Sequence, residues 1–260
     1  MITHRIVGNA MQVAVCQLDQ GQTVYAEPGK FLWKTVNVAI ETRLTRPAGN
    51  QVGAAPAAGG FLQKALDVGK RVLAGEHLAL PYFTPAGGSG LVALAGAVPG
   101  ELRAIELDGT GGWYTAKSTL VAAESGVELD VELAGLRAGL RGGEGFVLEH
   151  FTGTGTLLIA AAGNFVELNP AKYGGKVQVH TGCIVAFEDS LAYGVERIGG
   201  IGAQTAMTAA FGVEGMNLAT LEGDGTALIQ SMSLEALARS LHPYLAGGGE
   251  EKKGPLGGLL

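Results

Sequence analysis

One stretch of this chain occurs three times, and that recurrence limits the fold more than any other feature. A unit repeated at a near-constant period reads as one supersecondary element packed against its own copies. Gly75-Glu76-His77-Leu78-Ala79-Leu80-Pro81-Tyr82-Phe83-Thr84 is echoed by Gly143-Glu144-Gly145-Phe146-Val147-Leu148-Glu149-His150-Phe151-Thr152. A weaker third copy is Val213-Glu214-Gly215-Met216-Asn217-Leu218-Ala219-Thr220-Leu221-Glu222. Glu144 follows Glu76 by 68 positions and Glu214 follows Glu144 by 70. Beyond each glutamate stands a Gly-x-Gly, at Gly88/Gly90, Gly153/Gly155 and Gly223/Gly225, and then a short apolar segment beginning at Leu91, Leu157 and Ala227. A glycine turn between two apolar segments is a hairpin signal.

A second echo precedes each hairpin: Ala26-Glu27-Pro28-Gly29, Ala123-Glu124-Ser125-Gly126 and Phe187-Glu188-Asp189-Ser190. Each reads as an acidic turn opening a strand. After the first, Val36, Val38 and Ile40 alternate with Asn37, Ala39 and Glu41; after the second, Val127, Leu129, Val131 and Leu133 alternate with Glu128, Asp130 and Glu132. Period two marks half-buried β-strands. The expected architecture is therefore all-β, with sandwich- or barrel-like modules in three repeats over residues 11–107, 108–170 and 171–232. The whole forms one domain spanning residues 1–246. Residues 44–62, rich in Gly, Ala, Pro and Asn, read as a surface insertion, and Phe61–Leu66 as a short helix. A better helix is expected over 233–245, with Ser233 as N-cap, Leu234, Leu237, Ala238 and Leu241 on one face, and Pro243 past its periodic part. Residues 247–260 read as a flexible tail.

Composition narrows the partners. Against 24 acidic residues stand 18 Lys and Arg, a net charge of −6, and basic residues never run beyond pairs such as Lys252-Lys253. The chain thus lacks the electrostatic footprint of a nucleic-acid binder. No apolar run approaches the ~20 residues of a spanning helix, and the first residues carry no leader pattern, so a cytoplasmic protein with no membrane span is expected. Cys16 and Cys183 have no metal-binding spacing, which suits a reducing compartment.

Candidate chemistry is sparse. A cupin-type metal centre needs two histidines one residue apart plus a glutamate and a third histidine, and His4, His77, His150, His180 and His242 never form that pair. His150 and His180 are the two that tertiary folding would have to bring together. Glu76, Glu144 and Glu214 are carboxylates of the right type for acid–base work, yet a residue that recurs once per unit fits a turn-holding role better. The Gly-x-Gly motifs extend to no dinucleotide or phosphate-loop fingerprint, and no nucleophile elbow or zinc-protease pattern is present. Trp33, Trp113, Tyr114 and Tyr173 are the aromatics able to stack on a ligand. No catalytic, cofactor-binding or metal residue is assigned, no cofactor is expected, and an enzyme is not expected.

Val24–Gly29, Glu106–Gly109, Leu120–Glu124, Arg141–Gly145, His180–Gly182, Val185–Glu188 and Val195–Gly200 carry a resemblance over almost the whole chain. The sequence resembles bacterial relatives of the mitochondrial-biogenesis AIM family, named for altered inheritance of mitochondria. That resemblance implies a β-sandwich similar to the tryptophan RNA-binding attenuation protein, duplicated modules and a tendency to homo-oligomerise; it implies no reaction. The third copy departs, with Phe211-Gly212-Val213-Glu214-Gly215 in place of a Gly-Gly-Glu-Gly box. Three functions follow as expectations: a structural or interaction protein that assembles with itself, a trimer among the candidate states, or with another protein; a small-ligand-binding β module; and, last, a metal-dependent cupin-like enzyme.

Overall fold

The computed structural model describes residues 1–45, 78–134, 146–197 and 217–245. These described residues are all-β apart from two short 3-10 turns and one α-helix, α1 (Leu234–Leu245). The strands are β1 (Thr3–Val7), β2 (Val13–Leu18), β3 (Val24–Ala26), β4 (Phe31–Lys34), β5 (Val38–Thr45), β6 (Leu78–Pro85), β7 (Gly90–Ala95), β8 (Leu102–Asp108) and β9 (Trp113–Ala116). They continue with β10 (Leu120–Glu124), β11 (Val127–Ala134), β12 (Phe146–Ala160), β13 (Phe165–Leu168), β14 (Lys176–His180), β15 (Ile184–Glu188), β16 (Ala192–Arg197), β17 (Asn217–Glu222) and β18 (Ala227–Gln230).

Three groups of strands carry one pairing pattern, antiparallel throughout. In the first, β2, β7 and β4 lie side by side, as do β3, β6 and β5. In the second, β8 and β10 flank the later half of β12, while β9 and β11 flank its earlier half. In the third, β13, β18 and β15 adjoin, as do β14, β17 and β16. The groups are stitched by strand pairing: β3 bonds β10, and β9 bonds β15. The boundaries drawn at 107 and 170 leave β8 with the first unit and β13 with the second. Their hydrogen bonds instead join β8 to β12 and β13 to β18, because the chain crosses between groups just before each of these strands.

Those crossings are tight. Gly100 bridges Met11 on one side and Gly163 on the other, and a Cβ on Gly100 would collide with the Ala161 carbonyl oxygen, so only glycine fits. Gln12 Oε1 accepts the Leu102 N–H at 2.7 Å, and Glu101 Oε2 accepts the Phe165 N–H at 2.8 Å, which ties each crossing to the next.

Local detail recurs as well. The pairing of β4 with β7 skips a residue between Phe31 and Trp33; β10 on β12 skips between Leu120 and Ala122, and β15 on β18 between Ile184 and Ala186. Just after each bulge a side chain accepts a backbone N–H from the facing strand: Thr35 Oγ1 from Leu91 at 3.0 Å, Glu124 Oε2 from Thr156 at 2.7 Å and Glu188 Oε2 from Thr226 at 3.0 Å. Thr35 therefore occupies the place the sequence pattern gave to Glu27. Glu27 follows β3 instead and pairs with Lys30 at 3.1 Å. The backbone donor requires an acceptor oxygen, which a hydroxyl can supply as well as a carboxylate can, if less strongly, so matching by residue type selects the wrong position.

Two further expectations shift. Val36 is almost fully exposed in the turn before β5, and Ile40 is also exposed, so the inward alternation there reduces to Val38. Ser233 caps α1 as expected, its Oγ accepting the Ala236 N–H at 3.4 Å, and the helix ends at Leu245, the expected bound, with Pro243 inside it. Leu44 and Thr45 belong to β5. Residues 46–77, including the rest of the insertion and Phe61–Leu66, lie outside the described residues, as does the 247–260 tail.

Each group has its own core. Val24, Phe83, Val92 and Leu94 centre the first, Leu129, Phe151, Leu157 and Ile159 the second, and Ile184, Phe187, Leu221 and Ala227 the third. Phe83, Phe151 and Phe187 are fully buried, and removing such a ring costs roughly 3–5 kcal/mol.

Candidate functional site

The repeated glutamates Glu76, Glu144 and Glu214, and with them His77, lie outside the described residues. The remaining histidines stay apart in their contacts. His150 stacks on Tyr114 with ring centres 4.2 Å apart, and its Nε2 stands 3.4 Å from the Asp189 carboxylate. His180 Nδ1 accepts the Gly182 N–H at 3.1 Å and caps a short turn. His4 lies on β1, where its Nδ1 is buried without a hydrogen bond, and His242 lies on the exposed α1. Among the described residues, no three of His, Cys, Asp and Glu gather into a cation-holding group. Cys16 is buried and its thiol is pushed up to about 12 by desolvation, with the Glu124 charge adding to the effect; Cys183, half-buried, is also a free thiol. Of the aromatics, Trp113 packs on the second core and Tyr114 on the third, while Trp33 and Tyr173 are exposed.

Three features emerge from the tertiary structure. The first is a buried polar cluster where the first and second groups meet. Alternation along β12 turns Glu149 to the same face as Phe151, into the core and opposite Thr115 of β9. Its Oε2 is buried without a hydrogen-bond partner. Burial, reinforced by the negative charge of Glu27, raises its carboxyl from the ordinary 4.5 to about 7; Lys117, the Thr115 hydroxyl and Lys30 pull the other way. Lys30, itself buried, is held by Glu27 and by the Ser118 carbonyl at 3.3 Å. Such a carboxyl changes charge near neutrality inside a junction between strand groups. The sequence signal for Glu149 is its place between Leu148 and Phe151 in an apolar strand. Lys30, directly after Pro28-Gly29, carries no signal of its own.

The second feature is a cleft of about 410 Å³ beside this cluster, where links from all three groups converge on α1. Its walls are mainly Ala, Val, Ile and Leu side chains, with Lys30, Lys117 and Gln230 as the polar groups most able to orient a ligand.

The third is β4. Phe31, Leu32 and Trp33 are 39%, 50% and 44% exposed, three consecutive apolar residues on a strand that pairs, among the described strands, with β7 alone. The residues in the same places on β10 and β15, namely Leu120, Val121, Ala122, Ile184, Val185 and Ala186, are all exposed by 2% or less. The difference has a plain cause: β3 covers β10 and β9 covers β15, whereas no described strand covers β4. Sequence reading named Trp33 only as a ligand-stacking candidate and did not find this surface.

Comparison with known proteins places the chain. Over 247 residues it is 27% identical to the Uncharacterized protein M6_Spy0233 of Streptococcus pyogenes serotype M6, covering 92% of this chain and 90% of the relative. Its fold matches the X-ray crystal structure of protein SPYM3_0169 from Streptococcus pyogenes, with a TM-score of 0.71 at 23% identity, covering 94% of this chain and all of that one. The further likeness to the tryptophan RNA-binding attenuation protein receives no support from these matches. No helix among the described residues is long and apolar enough to cross a membrane. The model of the Mitochondrial biogenesis AIM24 family matches residues 4–232, and the chain belongs to that family.

Proposed function

We propose that this protein is a non-catalytic scaffold, built from three copies of one β module, that assembles with copies of itself in the cytoplasm. The observation that carries the reading is the apolar row on β4, exposed where the matching rows on β10 and β15 are buried. An uncovered, apolar edge strand is a template for another chain, and monomeric proteins usually blunt such edges with charge or proline. The recurrent pairing, bulge and acceptor support the modular part of the reading, and the net charge of −6 speaks against a nucleic-acid partner. Light scattering coupled to size exclusion, with metal quantified on the same peak, tests it. A discrete oligomer without stoichiometric metal is expected; a monomer at micromolar concentration refutes the reading, and one bound metal per chain favours the cupin-like alternative.

The cleft favours a second reading, a small-ligand-binding module. Apolar walls with a buried ammonium suit a compact apolar anion. A thermal-shift screen of small organic acids checks it: concentration-dependent stabilisation by one chemical class supports binding, and a flat screen argues against it.

A further inference from the structure

We infer that the free edge of β4 pairs antiparallel with β14 of a second copy of the chain, with Thr35 opposite Val177, Lys34 opposite Gln178 and Trp33 opposite Val179. The inference rests on the self-assembly reading above and names the surface through which assembly occurs.

The register comes from two junctions already present within one chain. Where β3 covers β10, Val24, Tyr25 and Ala26 stand opposite Glu124, Ala123 and Ala122. Where β9 covers β15, Trp113, Tyr114 and Thr115 stand opposite Glu188, Phe187 and Ala186. The common bulge, and the acceptor that follows it, align Thr35, Glu124 and Glu188, and hence Trp33, Ala122 and Ala186.

The covering strands align equally well. Val24 lies opposite Phe83, Trp113 opposite Phe151 and Val177 opposite Leu221, and each pair faces the core of its own group. The next residue in each strand points outward from that group. Tyr25 enters the second core and Tyr114 the third, while Gln178 is exposed. Like β4, β14 has a single neighbour among the described strands, β17, and none of them occupies the edge corresponding to the covering edges of β3 and β9.

Side-chain chemistry agrees. Gln178 Nε2 donates to Glu196 Oε2 at 2.7 Å and Lys176 Nζ pairs with Glu196 Oε1 at 3.0 Å, so a Lys34 arriving opposite Gln178 meets a polar cluster whose carboxylate it shares with Lys176. The two edges differ, which makes the contact heterologous: copies join head to tail, and the assembly either closes as a ring or extends.

The test uses full-length chains in a Cys183→Ser background, one carrying Lys34→Cys and a differently tagged one carrying Gln178→Cys. Oxidation of the mixture is expected to give a disulfide-linked pair containing both tags, since facing Cα atoms in antiparallel strands fall within disulfide reach. A Lys34→Cys chain that links only to itself overturns the inference, as does an intrachain bond in the double variant, or no bond at all. Separately, Trp33→Lys, at an exposed position that leaves the cores intact, is expected to abolish the oligomer in light scattering while keeping the far-UV spectrum. If that variant assembles as the native chain does, the β4 surface is wrong while self-assembly stands. If the native chain is itself monomeric, both fail.

Discussion

The two junctions inside the chain share a backbone plan and differ in chemistry. At the first, β3 meets β10, and the covering aromatic, Tyr25, enters the second core, donates its hydroxyl to the Val127 carbonyl at 3.0 Å and sits 5.6 Å from Tyr82. At this junction lie Glu149 and Lys30, both buried, with the partly exposed Glu27. At the second, β9 meets β15, and the matching aromatic, Tyr114, lies between His150 and Phe187, with Tyr193 stacked 5.3 Å beyond. Strand pairing sets the geometry of both. The side chains then make one junction electrostatically sensitive and the other a block of rings, because a ladder of backbone hydrogen bonds is indifferent to what projects from it.

If the second junction depends on its ring stack, Phe187→Ala should produce the largest loss, about 3–5 kcal/mol in denaturant unfolding. A cost below about 1 kcal/mol would show that the stack is incidental.

The first junction should instead respond to pH. Glu149 has a folded-state value of about 7 against an ordinary 4.5, so the folded chain holds a proton that the unfolded chain has released. Its contribution to stability is fully present below about 4.5, declines as pH rises toward 7 and is lost above that. Glu149→Gln should remove this decline and stabilise the protein at pH 8 by on the order of 2 kcal/mol, read as Tm across pH. A parallel pH profile in native and variant proteins would remove the buried charge from the account.

Smaller effects distinguish features common to both junctions. Glu124→Ala and Glu188→Ala should each cost about 2 kcal/mol, and Thr35→Ala about 1, since a charged acceptor outweighs a hydroxyl for the same backbone donor. Equal losses would mean that the carboxylates contribute no more than the hydroxyl. Tyr25→Phe should match the Thr35→Ala loss, about 1 kcal/mol, by leaving the Val127 carbonyl without its partner. A neutral result would imply that packing alone retains this ring.

Some of this was legible in the residues. Alternation around Val127 and Leu129 and Ser233 ahead of an amphipathic run correspond to β11 and α1, whereas the Gly-x-Gly segments make no hairpins: Gly153 and Gly155 lie inside the continuous β12, and β6 and β7, like β17 and β18, pair with other strands. The acidic-turn echo was half legible: Glu124 and Glu188 do the same job, but the third member is Thr35, hidden because its hydroxyl resembles no carboxylate. The exposed β4 surface was hardly legible. Trp33 was visible as an aromatic, but its exposure depends on the absence of a covering strand, which no local pattern encodes.

By itself, then, the sequence determined the all-β class, the terminal helix and the family. Period, turn residues and capping act over a few positions, and the family match extends over residues 4–232. Only the tertiary structure decided that Glu149 is buried beside Glu27 and Lys30 and that no described strand gives β4 the cover given to β10 and β15. Both facts arise between residues far apart in the chain, where burial and pairing depend on which strands meet.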